Sequence, residues 1–173
     1  MKKNILVIAL ALFSFTTNAQ FSLGAGVGLP TGDIEELYSL QTNISATYMF
    51  ESESDFTLGV SARYINYVGD ELDVEIFGSA IDLGIDNASF LPIAAVLNYS
   101  LSDKFSLGTD VGYALGINPD GNDGGFYLRP NLGYSLGDKS SLNFSYFSTS
   151  VDGGSYDNIG LGIAFQLGGD AEE

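Results

Sequence analysis

Large apolar residues recur at every second position through most of this chain. In the stretch 105–117, Phe105, Leu107, Thr109, Val111, Tyr113, Leu115 and Ile117 hold one set of alternate positions, and Ser106, Gly108, Asp110, Gly112, Ala114 and Gly116 hold the other. A period of two is that of a β-strand, whose side chains alternate between its faces. Segments of this kind occupy 21–29, 40–50, 56–67, 90–101, 105–117, 125–136, 142–150 and 156–167. Most are close to the length of about ten residues that a tilted strand needs to cross a bilayer. The pattern predicts an all-β fold, an eight-stranded antiparallel up-and-down transmembrane β-barrel, with ten strands possible if the link 68–89 supplies two more.

The residues opposite the apolar set decide which face is wet. The apolar set includes Leu23, Val27, Ile44, Leu58, Val60, Ile93, Leu97, Leu128, Leu132, Leu161 and Ile163, and the other set includes Ser22, Gly24, Asn43, Ser45, Thr57, Ser61, Asn98, Asn131, Asn143 and Ser145. A solvated strand face would be rich in Lys and Glu. This one is small, polar and almost uncharged, which suits a crowded lumen, so the large residues are expected to face lipid. A secreted lipocalin-like carrier, also an eight-stranded barrel, would need the opposite orientation.

The connections alternate in length. "ESESD", "SDK" and "GDKS" join strands at one rim, while "PTGDIEELYS", the link 68–89, "NPDGNDG" and "SVDGGS" join them at the other. Outer-membrane barrels combine tight periplasmic turns with longer external loops, which would make both termini periplasmic. The hairpins "LNYSLSDKFSL" (97–107) and "LGYSLGDKSSL" (132–142) are near-repeats, and "ATYMFESESDFTL" (46–58) is a looser copy. They set Tyr48, Phe56, Tyr99, Phe105 and Tyr134 at matching strand ends, and Phe21 and Phe165 sit at the corresponding ends of the first and last strands, as a periplasmic aromatic girdle requires. Tyr64, Tyr113, Phe126 and Tyr146 form a less regular set toward the other rim.

Lys2 and Lys3, the apolar run 5–15 and the small residues Thr17, Asn18 and Ala19 read as a secretory signal peptide over 1–19, leaving 20–173 as the barrel domain. The run is too short for a membrane-spanning helix. With no Cys, the exported chain has neither disulfides nor a cysteine lipid anchor. The formal net charge is −16, and only Arg63, Lys104, Arg129 and Lys139 are basic after residue 20. Such a surface repels nucleic acid.

The signal, the repeated hairpins, "GGFYLRPNLGY" (124–134) and "NIGLGIAFQL" (158–167) together resemble the small outer-membrane barrel proteins of Gram-negative bacteria, the OmpX-like and OmpA-barrel-like, porin-family group. The resemblance implies outer-membrane lipid as the surroundings, a monomer, and recognition by the outer-membrane insertion machinery through Asn158, Gly160, Ile163 and Phe165 of the last strand. The chain departs from the family ending by continuing as "GGDAEE", and no peptidoglycan-binding module is expected after it.

The chemistry expected is correspondingly spare. The chain has no His and no Cys, which removes imidazole bases and thiol nucleophiles, so no catalytic residues are assigned. Glu35, Glu36, Asp70, Glu71, Asp73 and Glu75 read as solvated loop charge. "NPDGNDGG" lacks the turn Gly and the bidentate Glu of a calcium loop, and "GAGVG" (24–28) lacks the dinucleotide spacing, so neither a metal nor a cofactor is expected. Arg63, Asp110 and Arg129 are the charges assigned to the lumen, where they must be paired or wet. The apolar positions Leu72, Val74, Ile76, Phe77, Ile81 and Ile85 of the link 68–89 could extend a hairpin, form a helix, cap the barrel or make a binding surface. A non-enzymatic structural or surface-interaction protein is the expected function, with a narrow porin-like channel as the alternative.

Overall fold

The computed structural model describes residues 20–50, 52–76 and 79–167. The expected signal segment 1–19 and the tail 168–173 lie outside the described residues. Strands run in chain order as β1 (Gln20–Thr31), β2 (Tyr38–Met49), β3 (Phe56–Gly69), β4 (Glu71–Ile76), β5 (Ser79–Gly84), β6 (Ala88–Ser100), β7 (Phe105–Asn118), β8 (Gly125–Gly137), β9 (Ser140–Val151) and β10 (Gly154–Leu167), with a 3-10 turn at Gly32–Ile34. Eight of them close into a barrel in the order β1-β10-β9-β8-β7-β6-β3-β2, every neighbour antiparallel. The ladder between β1 and β10, from Phe21 opposite Leu167 to Thr31 opposite Asp157, completes the closure. A closed sheet leaves no backbone edge unpaired, which hydrocarbon would penalise heavily.

Side chains sort as the alternation predicts. Leu29, Ile44, Leu58 and Leu161 point outward, with Leu29 66% and Ile44 62% exposed. Their inward neighbours Gln41, Asn43, Ser61, Arg63 and Asp110 are buried. The arrangement is that of a transmembrane barrel, since a soluble barrel would bury the large apolar set.

Of the options open for residues 68–89, the structure takes the extended hairpin and leaves the barrel at eight strands: β4 and β5 form their own two-stranded sheet outside it, from Glu71 opposite Gly84 to Ile76 opposite Ser79. The hairpin is rooted by Asp70 N–H donating to Leu37 O, Ile85 N–H to Asp70 O and Gly69 N–H to Asn87 Oδ1. The side chains of 72–83 lie outside the described residues, and with them the expected surface of Leu72, Val74, Ile76, Phe77 and Ile81. Ile85 packs against the buried core, as a cap does.

The contrast in connection length is narrower than the sequence suggests. "SVDGGS" is absorbed into strands, because β9 runs to Val151 and β10 starts at Gly154. Gly153, at φ 92°, makes that turn in a conformation that side-chain-bearing residues avoid. The turn between Met49 and Phe56 is meanwhile as long as the connection between Thr31 and Tyr38. The hairpin link from Gly69 to Ala88 carries most of the difference between the rims.

Candidate functional site: the barrel lumen

The three charges assigned to the lumen meet there. Asp110 on β7 lies directly opposite Arg129 on β8, and Arg129 Nη1 donates to Asp110 Oδ2 at 2.7 Å. Arg63 Nη2, from β3, is 3.7 Å from the same oxygen, and Ser61 Oγ donates to it at 3.5 Å. Both guanidinium carbons sit over the ring of Phe147, at 5.5 Å for Arg63 and 5.3 Å for Arg129. Asp110 is 2% exposed, and its removal would leave two buried guanidinium groups with no counter-charge.

Hydrogen bonds extend this cluster along the wall. Arg129 Nε donates to Ser145 Oγ at 3.2 Å, and Arg63 Nη1 donates to Asn43 Oδ1 at 2.7 Å. Asn43 Nδ2 and Asn158 Nδ2 both donate to Gln41 Oε1, each at 3.3 Å, and Tyr67 Oη donates to Asn158 Oδ1 at 2.7 Å. The glycines of "GAGVG" make room for these amides. Gly26 stands opposite Asn43 and Gly28 opposite Gln41, and a Cβ on Gly28 would lie 2.5 Å from Asn158 Nδ2 and 2.8 Å from Gln41 Oε1.

Below the cluster, toward the rim of the turns 50–55, 101–104 and 138–139, the lumen opens into a polar cavity of about 230 Å³. Arg63, Asp110, Arg129 and Phe147 line its inner end, and Gln20, Ser22 and Met49 line its mouth. Above the cluster the interior is filled. Ile65, Tyr67, Phe90 and Tyr127 are fully buried, Tyr67 meets Phe90 edge-on at 6.2 Å, and Tyr156 packs on Tyr38, Tyr67 and Phe90 with ring centres 4.8 to 5.7 Å away. Ile34, from the 3-10 turn, joins this core from the loop side.

Sequence reading missed this aromatic half. Its signal was present, for Ile65 and Tyr67 share the parity of Arg63, Tyr127 that of Arg129 and Phe147 that of Ser145. Aromatics beside an apolar outer face are easily credited to that face.

The proposed girdle residues lie at the short-turn rim in cross-strand pairs. Phe21 is opposite Tyr48, Phe56 opposite Tyr99 with ring centres 4.5 Å apart, and Phe105 opposite Tyr134 at 5.1 Å. Phe165 stands opposite Leu23 on the neighbouring strand. Toward the other rim Tyr64, Tyr113, Phe126 and Tyr146 are all exposed. Among the described residues, no group of three acids gathers as a metal site. In the segment "NPDGNDGG", Asn118 and Asn122 serve the loop itself: Asn122 Nδ2 donates to Asn118 O at 3.0 Å, and Gly124 N–H donates to Asn122 Oδ1 at 3.1 Å.

No protein-family model matches the chain, and no curated protein matches it in sequence. Solved structures do match its fold. The outer membrane protein Ail of Yersinia pestis in a phospholipid bilayer nanodisc is 14% identical over 87% of this chain and 100% of its own, with a TM-score of 0.55. The crystal structure of Ail, the attachment invasion locus protein, gives 14%, 86%, 97% and 0.53. A de novo designed transmembrane β-barrel gives 12%, 87%, 98% and 0.52. At these identities the likeness establishes the fold, an eight-stranded membrane barrel.

Proposed function

We propose that this chain is an integral outer-membrane protein whose barrel neither conducts nor catalyses, and whose loop end meets partners at the surface. The buried core of Tyr67, Phe90, Tyr127 and Phe147 carries this reading. It fills the lumen between the polar cavity and the loop rim, where a channel would need a continuous wet path. An eight-stranded barrel has just enough interior for such side chains, and here they occupy it.

The connections 32–37, 70–87, 119–124 and 152–153 contain Asp and Glu but neither Lys nor Arg. A partner docking on them is therefore expected to be cationic or uncharged. Ail has been crystallised with the heparin analogue sucrose octasulfate, and a polyanion of that kind would be repelled by this rim. Planar-bilayer recording of the purified, folded barrel tests the sealed lumen. No stepwise conductance is expected, and steps of uniform size that disappear on heat unfolding would restore the porin-like alternative.

A further inference from the structure

Two arginines and one carboxylate leave the inner end of the polar cavity with an excess positive charge. Among the described residues, Arg129 uses Nε on Ser145 and Nη1 on Asp110, and its Nη2 has no partner. Arg63 Nε is buried without a hydrogen-bond partner. Arg63 is only 6% and Arg129 only 8% exposed, so bulk water offers little compensation. Low local dielectric strengthens the attraction of this pair for an anion beyond what surface arginines achieve.

The cavity suits such a guest. Its volume of about 230 Å³ exceeds what one tetrahedral oxyanion needs, and Asn98, Asn131 and Asn143 add amide donors along the wall. A second hollow of about 210 Å³ adjoins the mouth and shares Gln20, Ser22, Met49 and Ser141 with the first. Lys139 lines this outer hollow, next to Asp138. An entrance of balanced charge thus leads to a basic floor, and Phe147 closes the end. The net-acidic loop rim lies on the far side of the aromatic core.

We propose that this half-lumen binds a small oxyanion, a phosphate or carboxylate group, against the Arg63 and Arg129 guanidinium groups. A planar guanidinium matches two oxygens of either group, which is the shared chemistry of the site. The proposal does not depend on which side of the membrane the rim meets, nor on whether the barrel conducts.

Isothermal titration of the detergent-folded protein with inorganic phosphate, and separately with acetate, tests it. Saturable binding of at least one anion is expected, and the two arms tell which group is preferred. Arg129→Gln removes the excess charge and should weaken binding by about tenfold or more, the equivalent of roughly 1.4 kcal/mol. Asp110→Asn frees both guanidinium groups and should tighten it by a similar factor. Thr57→Phe narrows the cavity from its lining while leaving the floor intact, and should weaken binding even if Arg129→Gln fails to give the heat-modifiable band of a folded barrel. No saturable heat with either anion would overturn the site, as would wild-type affinity in Thr57→Phe and in any folded Arg129→Gln.

Discussion

At the scale of single residues, the direction of each side chain is the property most open to test. Val111 lies midway along β7, 40% exposed on the outer face, and an arginine there should meet hydrocarbon at a cost of about 2 to 4 kcal/mol. Gly112 looks like the natural inward control, but its missing Cβ faces the backbone of Ile93 and Ala94, so even Ser would collide there. Thr47, which lines the open cavity, is the better comparison. Thr47→Arg should cost a fraction of the Val111→Arg penalty when urea midpoints are compared in lipid vesicles. Equal penalties, or a larger one at Thr47, would mean that the wet and lipid faces are exchanged. Parity made the outward residues, and the meeting of Arg63, Asp110 and Arg129 in one lumen, readable from sequence. It could not reveal which backbone an inward glycine touches, because that depends on strand separation and stagger around the closed sheet.

At the scale of elements, the barrel strands were legible and the link between β3 and β6 was not. Leu72, Val74 and Ile76 alternate as a strand does, while Phe77, Ile81 and Ile85 repeat with helical spacing, so local pattern favoured neither. The structure resolves the conflict by pairing β4 with β5 apart from the main sheet. Connection lengths misled for a related reason: turn-forming residues such as Asp152 and Gly153 occupy only the tip of a hairpin whose polar flanks remain strand. Because the hairpin shares no ladder with the barrel and Ile85 N–H already bonds Asp70 O at 2.9 Å, its two ends are close enough for a short bridge. Replacing residues 71–84 by Asn-Gly should leave the heat-modifiable gel shift intact and move the urea midpoint little. Loss of the folded band would show that the protruding hairpin is needed for closure.

At the scale of the whole molecule, the lumen divides into a polar half under the short turns and an aromatic half under the long link. The small-residue face was readable as a lumen, but this division was not, since it arises where inward aromatics of four different strands meet: Tyr67, Phe90, Tyr127 and Phe147 come from β3, β6, β8 and β9. The same asymmetry bears on insertion. Gln20 and Leu167, the outer ends of the first and last barrel strands, both lie at the short-turn rim. A barrel entering from the periplasm with that rim trailing carries neither strand end across the membrane. What it must move across is the set of acidic connections at the other rim, including the β4–β5 hairpin. Entry in this orientation, which we propose, would put Asp120 and Asp152 outside the cell and Asp103 in the periplasm. Asp120→Cys and Asp152→Cys should therefore react with a membrane-impermeant maleimide on intact cells, and Asp103→Cys should react only after the outer membrane is opened. The native chain has no Cys, so all labelling reports the introduced thiol. Labelling of Asp103→Cys on intact cells, with Asp120→Cys and Asp152→Cys protected, would reverse the topology and place the acidic hairpin in the periplasm.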